Sequence, residues 1–229
     1  MTSTLLLGSI GVLAETSELQ RRAYNQAFAD HDLGWYWNVA NYCEILKMPG
    51  GKKRLTDYAN GPISSDLIDS IHQRKETLFH EFLDAGITPR AGVQACLDQC
   101  RNKGVTVGLI TTTTTTNIAA LSHALRGHID FSQFALITTK ADVTTEKPSD
   151  EVYRHALSRL GITADDAIAV EDSEANQGAA INAGLDCYLF AGDYAVTQHN
   201  TNAVSTLASI TDHLSGAAMA HPASSAAKG

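Results

Sequence analysis

Long apolar runs are missing from this chain; stretches such as Leu5 to Leu7 fall far short of the ~20 residues of a membrane helix. The basic start and apolar stretch of a secretory signal are missing too. Cysteine is scarce. The four (Cys43, Cys96, Cys100 and Cys187) are scattered, and no second Cys or His pair completes a zinc pattern with Cys96 and Cys100. This predicts reduced, partly buried thiols in a cytoplasmic protein. Positive charge is also in short supply. Lys plus Arg number 17 against 25 Asp plus Glu, a net charge of −8, which argues against nucleic acid as a partner. A local basic cluster remains compatible with a small anion.

What is present is an ordinary globular mix. Of 229 residues, 44% are hydrophobic and 18% charged, enough for a sizeable core and one or two domains. Thr4 to Gly8 reads as a short buried strand. A mostly helical stretch follows from about Thr16 to Ala85, broken at Gly50-Gly51 and at Asn60-Gly61-Pro62. Beyond Gly86, helix and strand patterns alternate. Strands are predicted at Val105 to Ile110, Phe134 to Thr138, Ala167 to Val170 and Asp186 to Phe190. Helices are predicted at Pro89 to Asn102, Asn117 to Leu125 and Ala175 to Ala183, with another capped by Ser149. The alternation specifies an α/β fold with a parallel sheet. The helical stretch is then an insertion that caps the sheet. The expected division is a core of 1–15 and 88–216, a cap of 16–87, and a disordered Ala- and Ser-rich tail at 217–229.

Parallel sheets of this kind bind ligands at the carboxyl ends of their strands. There the sequence places Gly8, Ser9, Ile10 and Gly11, then the run Thr111 to Thr116, then Lys147-Pro148, then Glu171-Asp172-Ser173. Hydroxyls, an ammonium and two adjacent carboxylates suit a phosphoryl group and a divalent cation. Each has a plainer reading: a Thr-rich loop, a surface lysine, two acids at a helix start. Trp35 and Trp37 read as cap core. His72, His80, His123, His128 and His155 lack metal spacing and read as surface.

In this order and spacing the segments resemble the haloacid dehalogenase-like (HAD) superfamily, in particular its CbbY-type sugar-phosphate phosphatases. Gly11 to Thr16 resembles the end of the first motif, and Gly50-Gly51-Lys52-Lys53-Arg54 the phosphate loop of the cap. Thr111-Thr112-Thr113 resembles the second motif, Lys147-Pro148-Ser149 the third, and Glu171-Asp172-Ser173 with Gly178-Ala179-Ala180 the fourth. The resemblance implies a Rossmann-like core with an inserted cap and transfer of a phosphoryl group to an aspartate. It implies phosphate binding by Thr111, Thr112, Lys147, Lys52 and Arg54. It also implies Mg²⁺ held by Glu171, Asp172 and the Ile10 carbonyl, and a phosphorylated metabolite, such as a sugar bisphosphate, as ligand.

The sequence departs from that pattern at its centre. The family's first strand ends in Asp-x-Asp-Gly; here the segment is Gly8-Ser9-Ile10-Gly11. Gly8 stands at the nucleophile position and Ile10 at the acid/base position. Neither has a group for the task. Ser17 replaces a usual Glu and Gln20 a usual His. Metal affinity is expected to fall with the first carboxylate. Anion binding need not, since two unit charges 4 Å apart repel by about 4 kcal/mol at an effective dielectric of 20. Two readings follow. One is a catalytically impaired protein, a pseudoenzyme, that binds a phosphorylated metabolite. The other is an active hydrolase with a replacement nucleophile. Ser9 is the rival candidate, with no evident base beside it, and Glu15 is the substitute base to consider.

Overall fold

Leu5, Leu6 and Leu7 form the middle of β1 (Thr4–Leu7), and all three are fully buried. Side chains along a strand alternate in direction. Leu5 and Leu7 therefore enter one core layer with Val107, Leu109, Ile168 and Val170, while Leu6 enters another with Tyr153, Ala156 and Ala169. A strand buried on both faces reads as continuous apolar sequence, which is how this segment looked.

The computed structural model describes residues 3–48, 50–197 and 202–214. The tail expected at 217–229 lies outside the described residues. A short helix α1 (Ile10–Leu13) follows β1. The helical stretch holds α2 (Ser17–Asp30), α3 (Val39–Leu46), α4 (Gly51–Ala59) and α5 (Ser65–Asp84). Then come α6 (Val93–Lys103), β2 (Thr106–Leu109), α7 (Thr115–Leu125), β3 (Leu136–Ile137) and α8 (Glu151–Leu160). β4 (Ala167–Glu171), α9 (Glu174–Asn182) and β5 (Asp186–Leu189) follow, and after them a 3₁₀ helix, Leu207–His213.

The strands form one parallel sheet in the order β3-β2-β1-β4-β5. The first strand is thus central, and the loops after β1, β2 and β4 open side by side on one rim. This agrees with the predicted α/β fold. Ser149 is not the N-cap of α8; Asp150 holds that place, and the Ser149 hydroxyl accepts from the Glu151 N–H at 3.3 Å.

The inserted helices have their own aromatic centre. Trp37 is fully buried, with Tyr24, Phe28, Tyr42 and Tyr58 around it at ring centroid distances of 4.6, 5.0, 5.8 and 5.5 Å. Such pairs contribute about 0.5–1.5 kcal/mol each beyond area burial. Trp35 packs edge-on to Phe28 and Tyr58, so both tryptophans serve the core. α2 packs along α5, and α5 also meets α7 of the sheet layer. At the chain crossing, the Arg90 N–H donates to Leu13 O and its guanidinium donates to Gly11 O, Phe190 O and Ala191 O.

All four cysteines are free, with Cys96, Cys100 and Cys187 buried. Among the described residues no helix is long and apolar enough to cross a membrane. The histidines depart from expectation. His123 and His128 are exposed, but His72, His80 and His155 are half-buried, His80 against Asn117 at 2.6 Å.

Candidate active site

The loops at the carboxyl ends of β1, β2 and β4 and the amino end of α4 face one another across a cleft. One lobe, of about 370 Å³, is lined by Ile10, Arg54, Thr111, Thr112, Lys147 and Asp172 among others. A second, of about 690 Å³, shares Ile10, Arg54, Thr112 and Asp172 and reaches Lys52, His72 and Lys75. Lobes of this size suit a small metabolite. The residues singled out in sequence therefore converge, although their roles differ from those expected.

Lys147 is buried, and its ammonium is spent. It donates to the Glu171 carboxylate at 2.5 Å, to Ile110 O at 2.7 Å and to Gly8 O. An ammonium has three protons, and these partners take them all. The bond from Lys147 to Pro148 is cis. Glu171, expected at the metal, is fully buried and turned away from the rim. Its Oε1 also accepts from the Tyr153 hydroxyl at 2.6 Å. Burial pushes the Glu171 carboxyl up from its ordinary range, while Lys147 and the Tyr153 hydroxyl act in the opposite sense. Burial first, and Glu171 second, raise the Tyr153 phenol well above its usual value.

Gly8 explains this inward turn. A Cβ at position 8 would come closer than 3.0 Å to Glu171 Cδ and Oε1 and to the Tyr153 hydroxyl. The volume that a side chain would take there is already filled by the carboxyl and the phenol. Tyr153 reaches the site from α8, and no local sequence signal marks its hydroxyl.

Asp172 remains at the rim, where its carboxylate accepts from the Asn176 amide at 3.3 Å and lies over Gly11. A Cβ at 11 would meet Asp172 Oδ2, so a larger residue there would require the carboxylate to shift. Ile10 lines both lobes but brings no carboxylate. Among the described residues no group of three or more His, Cys, Asp or Glu side chains is placed to hold a metal ion. With Glu171 committed to Lys147, the donor set does not fit the Mg²⁺ site the resemblance implied.

The threonine run divides its labour. Thr111 is buried; its N–H donates to Thr138 Oγ1, and its Oγ1 accepts from the Thr113 N–H at 3.1 Å. Thr114 caps α7 by accepting from the Asn117 N–H at 3.2 Å. Thr112 lines both lobes. Ser9 Oγ is buried without a hydrogen bond to the described residues, and so has no base.

The basic loop is less concentrated than its sequence suggests. Lys52 pairs with Asp69 at 2.7 Å and Lys53 with Asp57 at 2.5 Å, both on the exposed surface. These carboxylates arrive from a neighbouring helix and from the next turn, so Lys52, Lys53, Arg54 and Lys147 do not present four free charges to one cleft. Arg54 stays directed at it: Nε donates to Met48 O at 2.6 Å, which orients the guanidinium, and Arg54 lines both lobes. Gly50, at φ 87°, turns the chain into α4 with no side-chain cap, leaving the first N–H groups of that helix to the cleft.

Lys75 and Tyr194, which sequence reasoning passed over, line the cleft together with His72. Lys75, buried, pairs with Glu76 at 2.8 Å and lies 5.0 Å from the Tyr24 ring centre. Burial lowers its pKa, and burial also lowers that of nearby His72. Glu15 accepts from the N–H groups of Ser17 and Asp193 at 2.8 and 2.7 Å. Glu15 is thereby a loop tie, not a base facing a substrate. Tyr194 donates to Glu18 and packs edge-on to Tyr42, which fastens the loop after β5 to the inserted helices.

Comparison with known proteins accords with this architecture. The profile of the haloacid dehalogenase-like hydrolases matches residues 11–190, beginning directly after Gly8-Ser9-Ile10. Protein CbbY of Cereibacter sphaeroides is 34% identical over 203 residues, 87% of either chain. A plasmid-encoded CbbY of Cupriavidus necator is 35% identical over 76% of this chain and 72% of its own. Among solved structures, a CbbY mutant from Rhodobacter sphaeroides in complex with xylulose-(1,5)bisphosphate superposes with a TM-score of 0.82. It is 32% identical and covers 91% of this chain and 96% of its own. A β-phosphoglucomutase from Clostridium difficile, 15% identical at a TM-score of 0.74, shares the fold. The chain belongs to the haloacid dehalogenase-like hydrolase family, with CbbY proteins among its relatives.

Proposed function

We propose that this protein binds a phosphorylated metabolite in the cleft and does not hydrolyse it efficiently. One observation carries the reading: at position 8 no nucleophile is present, and the space for one is filled by Glu171 and Tyr153. Ile10, two residues on, offers no proton. Loss of a nucleophile costs a well-studied protease about 10⁶ in turnover. Binding rests on other groups. Arg54, the open amino end of α4 and Thr112 remain available to an anion.

The relative with xylulose-(1,5)bisphosphate bound makes a pentulose bisphosphate the first ligand to try. The helices at 16–87 act in this reading as a cap over the sheet at 1–15 and 88–216, bringing Arg54 to the rim. A hydrolase with a replacement nucleophile would need a base beside Ser9, and Ser9 Oγ has no hydrogen-bonded partner among the described residues. The test pairs calorimetry with phosphate release. Saturable heat with xylulose bisphosphate and no release is the expected result. Release at ordinary enzyme rates, about 1 s⁻¹ or faster, overturns the proposal.

A further inference from the structure

We propose that Glu171 serves here as the resident counterion of Lys147 and not as a metal ligand, so that ligand binding in this cleft is independent of divalent cations. The ligand half of this statement rests on the reading above; the counterion half does not.

Glu171 reaches Lys147 through the volume beside the Gly8 backbone. Any side chain at 8 would collide with that rotamer and drive the carboxyl out toward the rim and Asp172. Glycine at 8 therefore does more than delete a nucleophile. It opens the pocket into which the neighbouring acid folds.

With an aspartate at 8, the buried lysine would have a partner from β1. Without it, a buried ammonium has no counter-charge and is costly unless another carboxylate arrives. Glu171 supplies that charge, is fully buried, and is steadied by the Tyr153 hydroxyl at 2.6 Å. The consequence is a neutral pair in place of a cation and a metal ligand. Asp172 is left at the rim, where Glu146 also lines both lobes, but among the described residues no three such side chains converge to hold a metal ion, which is too little for a hard cation that prefers several oxygen ligands. A phosphate entering beside Lys147 must also compete with Glu171 for its protons.

Manganese titration of the purified protein, followed by the resonance signal of free Mn²⁺, tests the counterion half alone. The wild type is expected to show no site tighter than about 1 mM. Gly8→Asp, which returns a carboxylate and expels Glu171, is expected to bind Mn²⁺ at least tenfold more tightly. Tight Mn²⁺ binding by the wild type that disappears in Glu171→Gln overturns the assignment.

Calorimetry with xylulose bisphosphate reads the other half. Affinity is expected to be unchanged between Mg²⁺ and a chelator, and to rise severalfold in Glu171→Gln, which keeps the volume and frees Lys147. A fall in Glu171→Gln, or a requirement for Mg²⁺, overturns the inference. Wild type that binds neither Mn²⁺ nor bisphosphate supports the counterion and refutes the ligand reading. Should Glu171→Gln fail to fold, Gly8→Ala displaces the same carboxyl, and absence of any gain in Mn²⁺ or bisphosphate affinity then counts against the proposal.

Discussion

Removing Lys147 should cost more than removing both members of its pair. The Lys147 and Glu171 side chains are 5% and 0% exposed, so neither is relieved by water when its partner goes. Lys147→Met strands a buried carboxylate and leaves Gly8 O and Ile110 O without their donor. Breaking a buried pair in this way costs about 3–5 kcal/mol. In the double variant Lys147→Met, Glu171→Leu the stranded charge is gone. The remaining costs are the two carbonyls and the Tyr153 hydroxyl, and packing offsets part of them. We expect the double variant within about 2 kcal/mol of the wild type; with either single variant costing about 3–5 kcal/mol, the coupling across the cycle is then at least about 4 kcal/mol. Urea melts followed by circular dichroism give all four stabilities. If Lys147→Met lies within about 1 kcal/mol of the wild type, the ammonium is not buried against Glu171 and the steric account of Gly8 fails with it.

Other residues carry further predictions. Arg54→Ala should weaken xylulose bisphosphate binding about tenfold or more by calorimetry while leaving the melting temperature nearly unchanged, since a hydrogen bond to a charged group contributes about 1.5–3 kcal/mol. Tyr194→Phe should loosen the loop after β5 by about 0.5–1.5 kcal/mol, read as faster amide exchange at 191–196. The Glu18 carboxyl that accepts from Tyr194 is held below its ordinary range, chiefly by the Arg21 guanidinium. A depressed folded pKa adds stability above the unfolded value near 4.5 and loses it as pH falls through the lower folded value. The tie should thus persist at pH 5 and above, and amide exchange at 191–196 should accelerate only in stronger acid.

The strands and their order of chemistry were legible because they depend on short-range pattern. Leu5 to Leu7 could only be buried on both sides, and Thr111, Lys147 and Asp172 follow strands whose carboxyl ends must share a rim. The aromatic centre of the inserted helices was legible in the same way, from Trp35 and Trp37. What escaped was everything fixed by a partner distant in sequence. Glu171 next to Asp172 reads as one acidic pair, yet one carboxyl turns inward and the other outward. That choice depends on an empty volume at Gly8 and a phenol from α8. Lys52 and Lys53 look like a phosphate grip until Asp69 and Asp57 claim them. Ser149 lost the cap of α8 to Asp150 by one residue, a shift no propensity distinguishes.

The cleft is proposed to hold a phosphate ester without cleaving it efficiently. This is tested most directly by single-turnover phosphate release, with the purified protein in excess over xylulose bisphosphate and Mg²⁺ supplied. A typical turnover of about 10 s⁻¹ reduced by a loss of about 10⁶ gives an expected rate near 10⁻⁵ s⁻¹. Release at about 1 s⁻¹ that vanishes in Lys147→Ala contradicts it.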